Sequence, residues 1–275
     1  MNKGFSLVTK NGIPLISVDC INNTGLFKAY YATGHGGVSQ LEDGCSMNLN
    51  VFKNNDRAEN SRQNFAIFAS AAGVPNGSAD FVLQHECHSS NAVFVTQKDR
   101  KSDIFDKTAY PKGADSQLTA EKLPLFVYAS DCPTIMVCDT AGGVYGTIHC
   151  GWKNCLNGTI QNWFCLFNEK GGNAHTAICA VGPAMCQDCF EVDDDVRELF
   201  LNYDGSYVQF MYHKGAKTHI DLAAVIKKQL VQQGVAEDSI YLSGICNKCY
   251  TQYALPSYRR SKGANGVSGG VVWKV

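Results

Sequence analysis

The 275-residue sequence lacks any run approaching the roughly 20 consecutive apolar residues that a membrane helix needs, so no segment of it reads as a membrane span. It also lacks an excess of charge of either sign. Twenty-four basic against 25 acidic residues leave a formal net charge of -1, which excludes a general field for nucleic acid or anionic lipid and confines the search for partners to local sites. The opening stretch MNKGFSLVTKNGIPLISVDC has no apolar core of signal-peptide length, and a cytoplasmic protein is expected. Histidines number seven, with no His-x-His pair, too few for the trinuclear cluster of a blue multicopper oxidase. No repeat, low-complexity tract or convincing linker divides the chain. One domain over residues 1–275 is expected, with 45% hydrophobic residues to fill its core.

Cysteine, by contrast, is plentiful. Thirteen cysteines without an export signal point to reduced thiols, and the odd number prevents complete internal pairing. Two pairs have chelating spacing, Cys186 with Cys189 and Cys246 with Cys249. The 56 residues between them far exceed the usual gap in a four-thiolate zinc site, which counts against a second metal site.

The densest chemistry lies in LPLFVYASDCPTIMVCDTAGGVYGTIHCGW, residues 123–152, where a cysteine and a histidine sit on strands joined across a Gly-Gly turn. If Asp139 faces Val144, then Cys132 lies opposite Gly151 and His149 opposite Thr134. Cys132 and His149 then share a face as diagonal neighbours, roughly 7–8 Å apart at the backbone. A three-residue turn would send one of the two side chains to the other face. Converging thiolate and imidazole groups make either a metal site or a nucleophile with its base.

Around this hairpin, RAENSRQNFAIFASAAG has the apolar spacing of an amphipathic helix from Arg57 to Gly73, with Phe65, Phe68, Ala69 and Ala72 on one face. Strands are expected at residues 81–83, 92–95, 123–129, 176–181, 239–243 and 270–274. Helices are expected over 158–168 and 195–203, and from an Asp221 cap to about Gln233, giving a mixed pattern with helices outside. A third ligand could come from FVLQHECHSSNAVFV, which holds His85 and His88. On an extended strand they point to opposite faces, so one of them joins the pair. Parity favours His85, which shares its face with Phe81 and Leu83, whereas the polar run after His88 favours the latter, and the choice stays open on these grounds.

Several segments resemble the YfiH laccase-domain family, also described as polyphenol oxidases and related to the human purine enzyme FAMIN. TGHGGVS at residues 33–39 resembles the family's Thr-Arg-His-Gly-Gly-Val-Ser, and SMNL at 46–49 its Ser-Leu-Asn-Leu. ECHSSN at 86–91 is similar to Gln-Thr-His-Thr-Asp-Asn, SDCP at 130–133 to Ala-Asp-Cys-Pro, and HCGWK at 149–153 to His-Ala-Gly-Trp-Arg. DSQLT at 115–119, GPA at 182–184, CFEV at 189–192 and SYRR at 257–260 continue the match in order.

The resemblance implies an α+β fold, an α/β/β/α sandwich with mixed sheets like that of bacterial deamidating toxins. It implies a metal site of His88, Cys132 and His149, favouring His88 over His85. Three protein ligands leave a tetrahedral zinc ion one open position, the arrangement of a catalytic site that acidifies a bound water. The implied reactions are deamination of adenosine and phosphorolysis of purine nucleosides, with a nucleoside and phosphate as partners; monomer and homodimer stay open. Asp131 is expected to orient a ligating imidazole or carry a proton, or else to cap nearby amides. His35 and Asn48 are candidates to bind substrate, and Arg62, Lys153, Arg259 and Arg260 to meet phosphate. Gly34, Lys153 and Val267 stand where the family has arginine, which weakens the case for phosphate binding. The longer stretch at residues 95–113 is either a cover over the pocket or a surface loop. Two other readings of the same residues remain: a copper ion at His88, Cys132 and His149 giving phenol oxidation, and a metal-free hydrolase with Cys132 as nucleophile and His149 as base. A noncatalytic metal-binding protein is a further alternative.

Overall fold

The computed structural model describes residues 1–52, 56–101, 103–106, 113–264 and 266–275. Its first sheet runs in the order β1 (Ser6–Lys10), β2 (Ile13–Ser17), β3 (Phe27–Ala32), β15 (Ser268–Lys274), β7 (Leu125–Ala129) and β4 (Val82–Leu83). The second runs β14 (Ile240–Leu242), β10 (Ala177–Val181), β8 (Thr134–Asp139), β9 (Tyr145–His149), β6 (Ser116–Thr119) and β5 (Ala92–Phe94). A small sheet holds β11 (Glu191–Val192), β13 (Lys217–Ile220) and β12 (Met211–Lys214). The helices are α1 (Asp19–Asn22), α2 (Ala58–Ala72), α3 (Trp152–Leu156), α4 (Thr159–Glu169), α5 (Asp194–Tyr203), α6 (Leu222–Gln232) and α7 (Tyr258–Ser261).

Side-chain alternation stacks these elements in four layers. In β7, Phe126 and Tyr128 pack with Phe65 and Phe68 of α2, while Val127 between them faces the other sheet. In β8, Met136 and Cys138 meet that inter-sheet core, while Ile135 and Val137 pack with Trp163 and Phe164 of α4 and Val225 and Ile226 of α6. Both faces of each central strand are thus covered, which is why LFVYA and TIMVCD read as continuous apolar runs and not as alternating ones. The result is the mixed α+β sandwich that the resemblance implies. No helix among the described residues is long and apolar enough to cross a membrane.

The helix expected at 57–73 forms over Ala58–Ala72 and ends on Gly73 at φ 81°, and Asp221 caps α6 by accepting from the Ala224 N–H. The first hairpin is absent from the expectations, although Asn11 and Gly12 at its turn both have positive φ and Asn-Gly is a strong signal for that geometry. The expectation against a second cysteine cluster is overturned. Strands β10 and β14 are parallel neighbours, so the loops leaving their ends emerge side by side and bring Cys186, Cys189, Cys246 and Cys249 together. A parallel pair needs a long crossover, and this is what fills the gap between the two pairs.

Candidate metal centre

The hairpin closes in the expected register: Thr134 pairs with His149 and Cys138 with Tyr145, and the Asp139 N–H donates to the Val144 carbonyl at 2.9 Å. The Asp139 carboxylate fixes the loop by accepting from the Ala141 and Asn173 N–H groups and the Thr176 hydroxyl. Four residues therefore lie between the facing Asp139 and Val144, parity is kept, and His149 and Cys132 converge. His88 joins them, and the ligand atoms of the three lie within 4.8 Å of one another. Its Nε2 is 3.8 Å from Cys132 Sγ, and its ring lies edge-on to that of His149 with centroids 5.0 Å apart. His85 points elsewhere and stacks on Phe52.

His88 reaches the cluster because its segment is a turn wrapped around Asp115 and not a strand. Its φ is 61°, and the fully buried Asp115 carboxylate accepts from the N–H groups of Cys87, His88 and Ser89 and from the Ser89 hydroxyl. The same carboxylate takes a hydrogen bond from Nδ1 of His149 at 2.8 Å, and the Asp115 carbonyl accepts the His149 N–H at 2.8 Å. Holding the proton on Nδ1 leaves Nε2 of His149 free as a ligand atom toward Cys132. The acceptor behind the imidazole is therefore Asp115. Of the two roles expected for Asp131, its hydrogen bond is the capping one: Oδ2 accepts from the Arg259 N–H at 2.7 Å, while Oδ1 is buried without a hydrogen-bond partner among the described residues.

Burial alone would raise the Cys132 thiol, but hydrogen bonds and charge from His149 and His88 bring it down to about 6, so the thiolate is available at neutral pH. Burial would likewise raise Asp115, but its bonds to His149 and Ser89 hold it well below the usual carboxylate range. Against the effect of burial, Glu86 and Asp115 push His149 well above the ordinary histidine value. Glu86 had no place in the sequence reading beyond a motif match. Its Oε2 lies 3.8 Å from His149 Nε2, and desolvation lifts it to about 7, offset in part by His149.

The cluster has the donors and the space for one small ion. A Cβ on Gly151 would sit 2.8 Å from Cys132 Sγ and 3.1 Å from His88 Nε2. Its φ of -65° suits any residue, so glycine is required here by space alone. Gly151→Ala is expected to fold normally and to lower metal affinity about 10- to 100-fold, the range seen when groups next to ligands are altered. Competition with a chromophoric chelator measures this, and unchanged affinity would place the ion elsewhere.

The other expected residues divide. Asn48 is fully buried, and its amide donates to Asp56 and accepts from the Val267 N–H. Arg62 forms a two-pronged pair with Asp103 at 2.8 Å and lies over Phe105. Arg260 donates to the carbonyls of Asn247, Lys248 and Leu255 and so clamps the backbone there. Arg259 reaches the Glu191 carbonyl at 3.3 Å. Lys153 is exposed at the start of α3, four residues after His149 in sequence. His35 is exposed and meets the Gln252 carbonyl. Gly34 cannot be arginine on this backbone, because its Cβ would fall 1.8 Å from the Ala254 carbonyl oxygen. Of the stretch at 95–113, residues 102 and 107–112 lie outside the described residues, and Ile104 and Phe105 pack into the α2 layer away from the cluster.

Fold and cluster together define a layered α+β protein with a His-Cys-His site where a central hairpin meets a turn. The chain belongs to the family described as multi-copper polyphenol oxidoreductase laccase, whose model matches residues 28–275. It is 29% identical over 173 residues to an adenosine deaminase from an unknown prokaryotic organism, covering 62% of this chain and 66% of that one. It is 26% identical over 260 residues to a purine nucleoside phosphorylase of Deinococcus radiodurans, covering 94% and 92%. Across three of the curated relatives, the deaminase among them, the chain spans 66, 62 and 61% of their length. The crystal structure of the hypothetical protein YfiH from Bacillus licheniformis superposes with a TM-score of 0.89 over 99% of each chain at 22% identity, a likeness of fold.

Proposed function

We propose that the chain is a zinc-dependent purine nucleoside enzyme that deaminates adenosine or phosphorolyses adenosine and inosine. The observation that carries this is the convergence of His88, Cys132 and His149 with Asp115 fixing the tautomer of His149, since three such ligands leave a tetrahedral ion one position for chemistry. The names of the deaminase and phosphorylase relatives support the substrate class. An ion held there supplies Lewis acidity and a water that ionises near neutrality.

The protein groups around it do the rest. Glu86, beside His149 Nε2, is placed to take a proton from the attacking group and return it to the leaving nitrogen. Asp131 Oδ1, buried next to Cys132 and without a hydrogen-bond partner among the described residues, is a candidate to accept from a base N–H or a ribose hydroxyl. Of the expected cations, Lys153 and Arg259 remain the candidates to meet a phosphate, since Arg62 pairs with Asp103 and Arg260 meets backbone carbonyls, although Arg259 also faces Glu191. His35 stays a candidate at the rim. Thirteen unpaired cysteines favour a reducing compartment such as the cytoplasm.

Incubating the metal-loaded protein with adenosine and with inosine, with and without phosphate, separates the reactions by chromatography. Inosine and ammonia formed from adenosine without phosphate identify a deaminase, and free base released only with phosphate identifies a phosphorylase. Absence of both products would remove the purine reading. The family's description favours a second reading, one copper ion at the same His2Cys set oxidising phenols. It requires phenol turnover that follows copper content and stops with Cys132→Ala. Of the seven histidines only His88 and His149 share a cluster, so no second copper centre built on histidine is present among the described residues.

A further inference from the structure

The four cysteines gathered by the two parallel strands form a second site, independent of the reading above. Their sulfurs lie within 4.8 Å of one another, with Cys186 and Cys249 Sγ 3.9 Å apart. Four thiolates around one zinc ion at a Zn–S distance of about 2.3 Å stand about 3.8 Å apart along each edge of the tetrahedron. A disulfide needs sulfurs at about 2.05 Å, and all four cysteines are free. Each pair comes from one tight Cys-x-x-Cys turn, and the Cys186 N–H donates to Cys246 Sγ at 3.3 Å, a contact that stabilises a thiolate. The cluster sits at the surface, with Cys249 exposed and Cys189 and Cys246 buried, so an ion has an entry path.

We propose that Cys186, Cys189, Cys246 and Cys249 bind one structural zinc ion that braces the wall beside the His-Cys-His cluster. Four protein ligands close the coordination shell and leave no position for substrate. The bracing follows from the neighbours of the two turns. Met185, just before Cys186, donates its N–H to the Asp131 carbonyl at 2.9 Å. In the other turn the carbonyls of Asn247 and Lys248 accept from Arg260, and the adjacent Arg259 donates its N–H to the Asp131 carboxylate. An ion joining the turns would therefore tie both supports of Asp131 to one point, next to Cys132.

Metal analysis of the full chain purified without added metal tests this, alongside Cys132→Ala and the pair Cys246→Ser with Cys249→Ser. Wild type is expected to carry about two zinc ions per chain, one for each ligand set. The serine pair should lose about one and Cys132→Ala the other, so that failure of one site is read separately from failure of the other. Cobalt-loaded Cys132→Ala should keep the intense thiolate-to-cobalt absorption of a four-sulfur site, and the serine pair should lose most of it. Should the serine pair fold poorly, mercurial titration of native Cys132→Ala serves instead, with the zinc released measured by a chromophoric chelator. Zinc content unchanged in the serine pair, no zinc released from Cys132→Ala, or a disulfide among the four found by mass spectrometry would overturn the proposal.

Discussion

Cys132→Ala is expected to remove the ion of the His-Cys-His cluster and to lower nucleoside turnover by about three orders of magnitude or more, leaving only what positioning provides. The thiolate is the one anionic ligand of the set, and its sulfur sits 3.8 Å from His88 Nε2 while also facing His149. Without it only the two imidazoles remain, one of them exposed, and neither carries a negative charge to offset that of a divalent ion. Alanine leaves more room, not less, so the fold should persist, and circular dichroism and the melting temperature serve as controls. Metal content and turnover are measured together. Loss of both supports the metal reading. If turnover falls while a chelator has no effect on wild type, and a thiol alkylator labels Cys132 rapidly, the residue is a nucleophile in a metal-free hydrolase. Turnover within tenfold of wild type would show that the chemistry lies elsewhere.

Asp115→Ala is expected to destabilise the protein by about 3–5 kcal/mol, the scale for leaving the partner of a buried ionic group uncompensated. The fully buried carboxylate is the acceptor for three consecutive backbone N–H groups and for His149 Nδ1, so alanine strands several donors at once and frees the imidazole to change tautomer. Thermal melting measures the first effect and chelator competition the second. Asp115→Asn, which retains one acceptor oxygen, should fall between alanine and wild type. The carboxyl is held below its unfolded value of about 4, so on acidification the unfolded chain binds the proton first. Its contribution is therefore present above about pH 4 and lost as pH falls further toward the folded value. Wild type should lose stability in that acid window and Asp115→Asn should lose less; an equal loss in both would show that the carboxylate is not the group responsible.

The hairpin was legible because a period of two and a loop of fixed length leave a single register for Thr134 and His149. The choice between His85 and His88 was not, because parity applies only to extended chain and His88 sits at positive φ in a turn around a carboxylate. Asp115 lies in β6's approach, 34 residues from His149, and nothing local marks it as that histidine's partner; only the adjacency of β6 and β9 does so. Asp131 was the natural candidate by nearness to Cys132 in sequence, yet its carboxylate faces the Arg259 N–H. The arginines misled for a related reason. A guanidinium that meets backbone carbonyls, as Arg260 does, has the same sequence signature as one that waits for an anion. The four-layer fold was legible in part, through the apolar runs of β7 and β8, which only a sheet covered on both faces can bury.

The last strand of the first sheet to leave the ribosome is also its centre. Ser268–Lys274 pairs with β3 on one side and β7 on the other, and Gly270 lies between Tyr31 and Val127. Until it arrives, β3 and β7 each expose an unpaired edge, and the meander made first has nothing to join. Closing contacts of such long sequence separation delays the folding step until this strand has been made, after the hairpin bearing Cys132 and His149 has formed from neighbouring chain. A nascent chain stalled before this strand would thus present an early-folded hairpin beside two open sheet edges, a state in which chaperone capture or aggregation competes with completion.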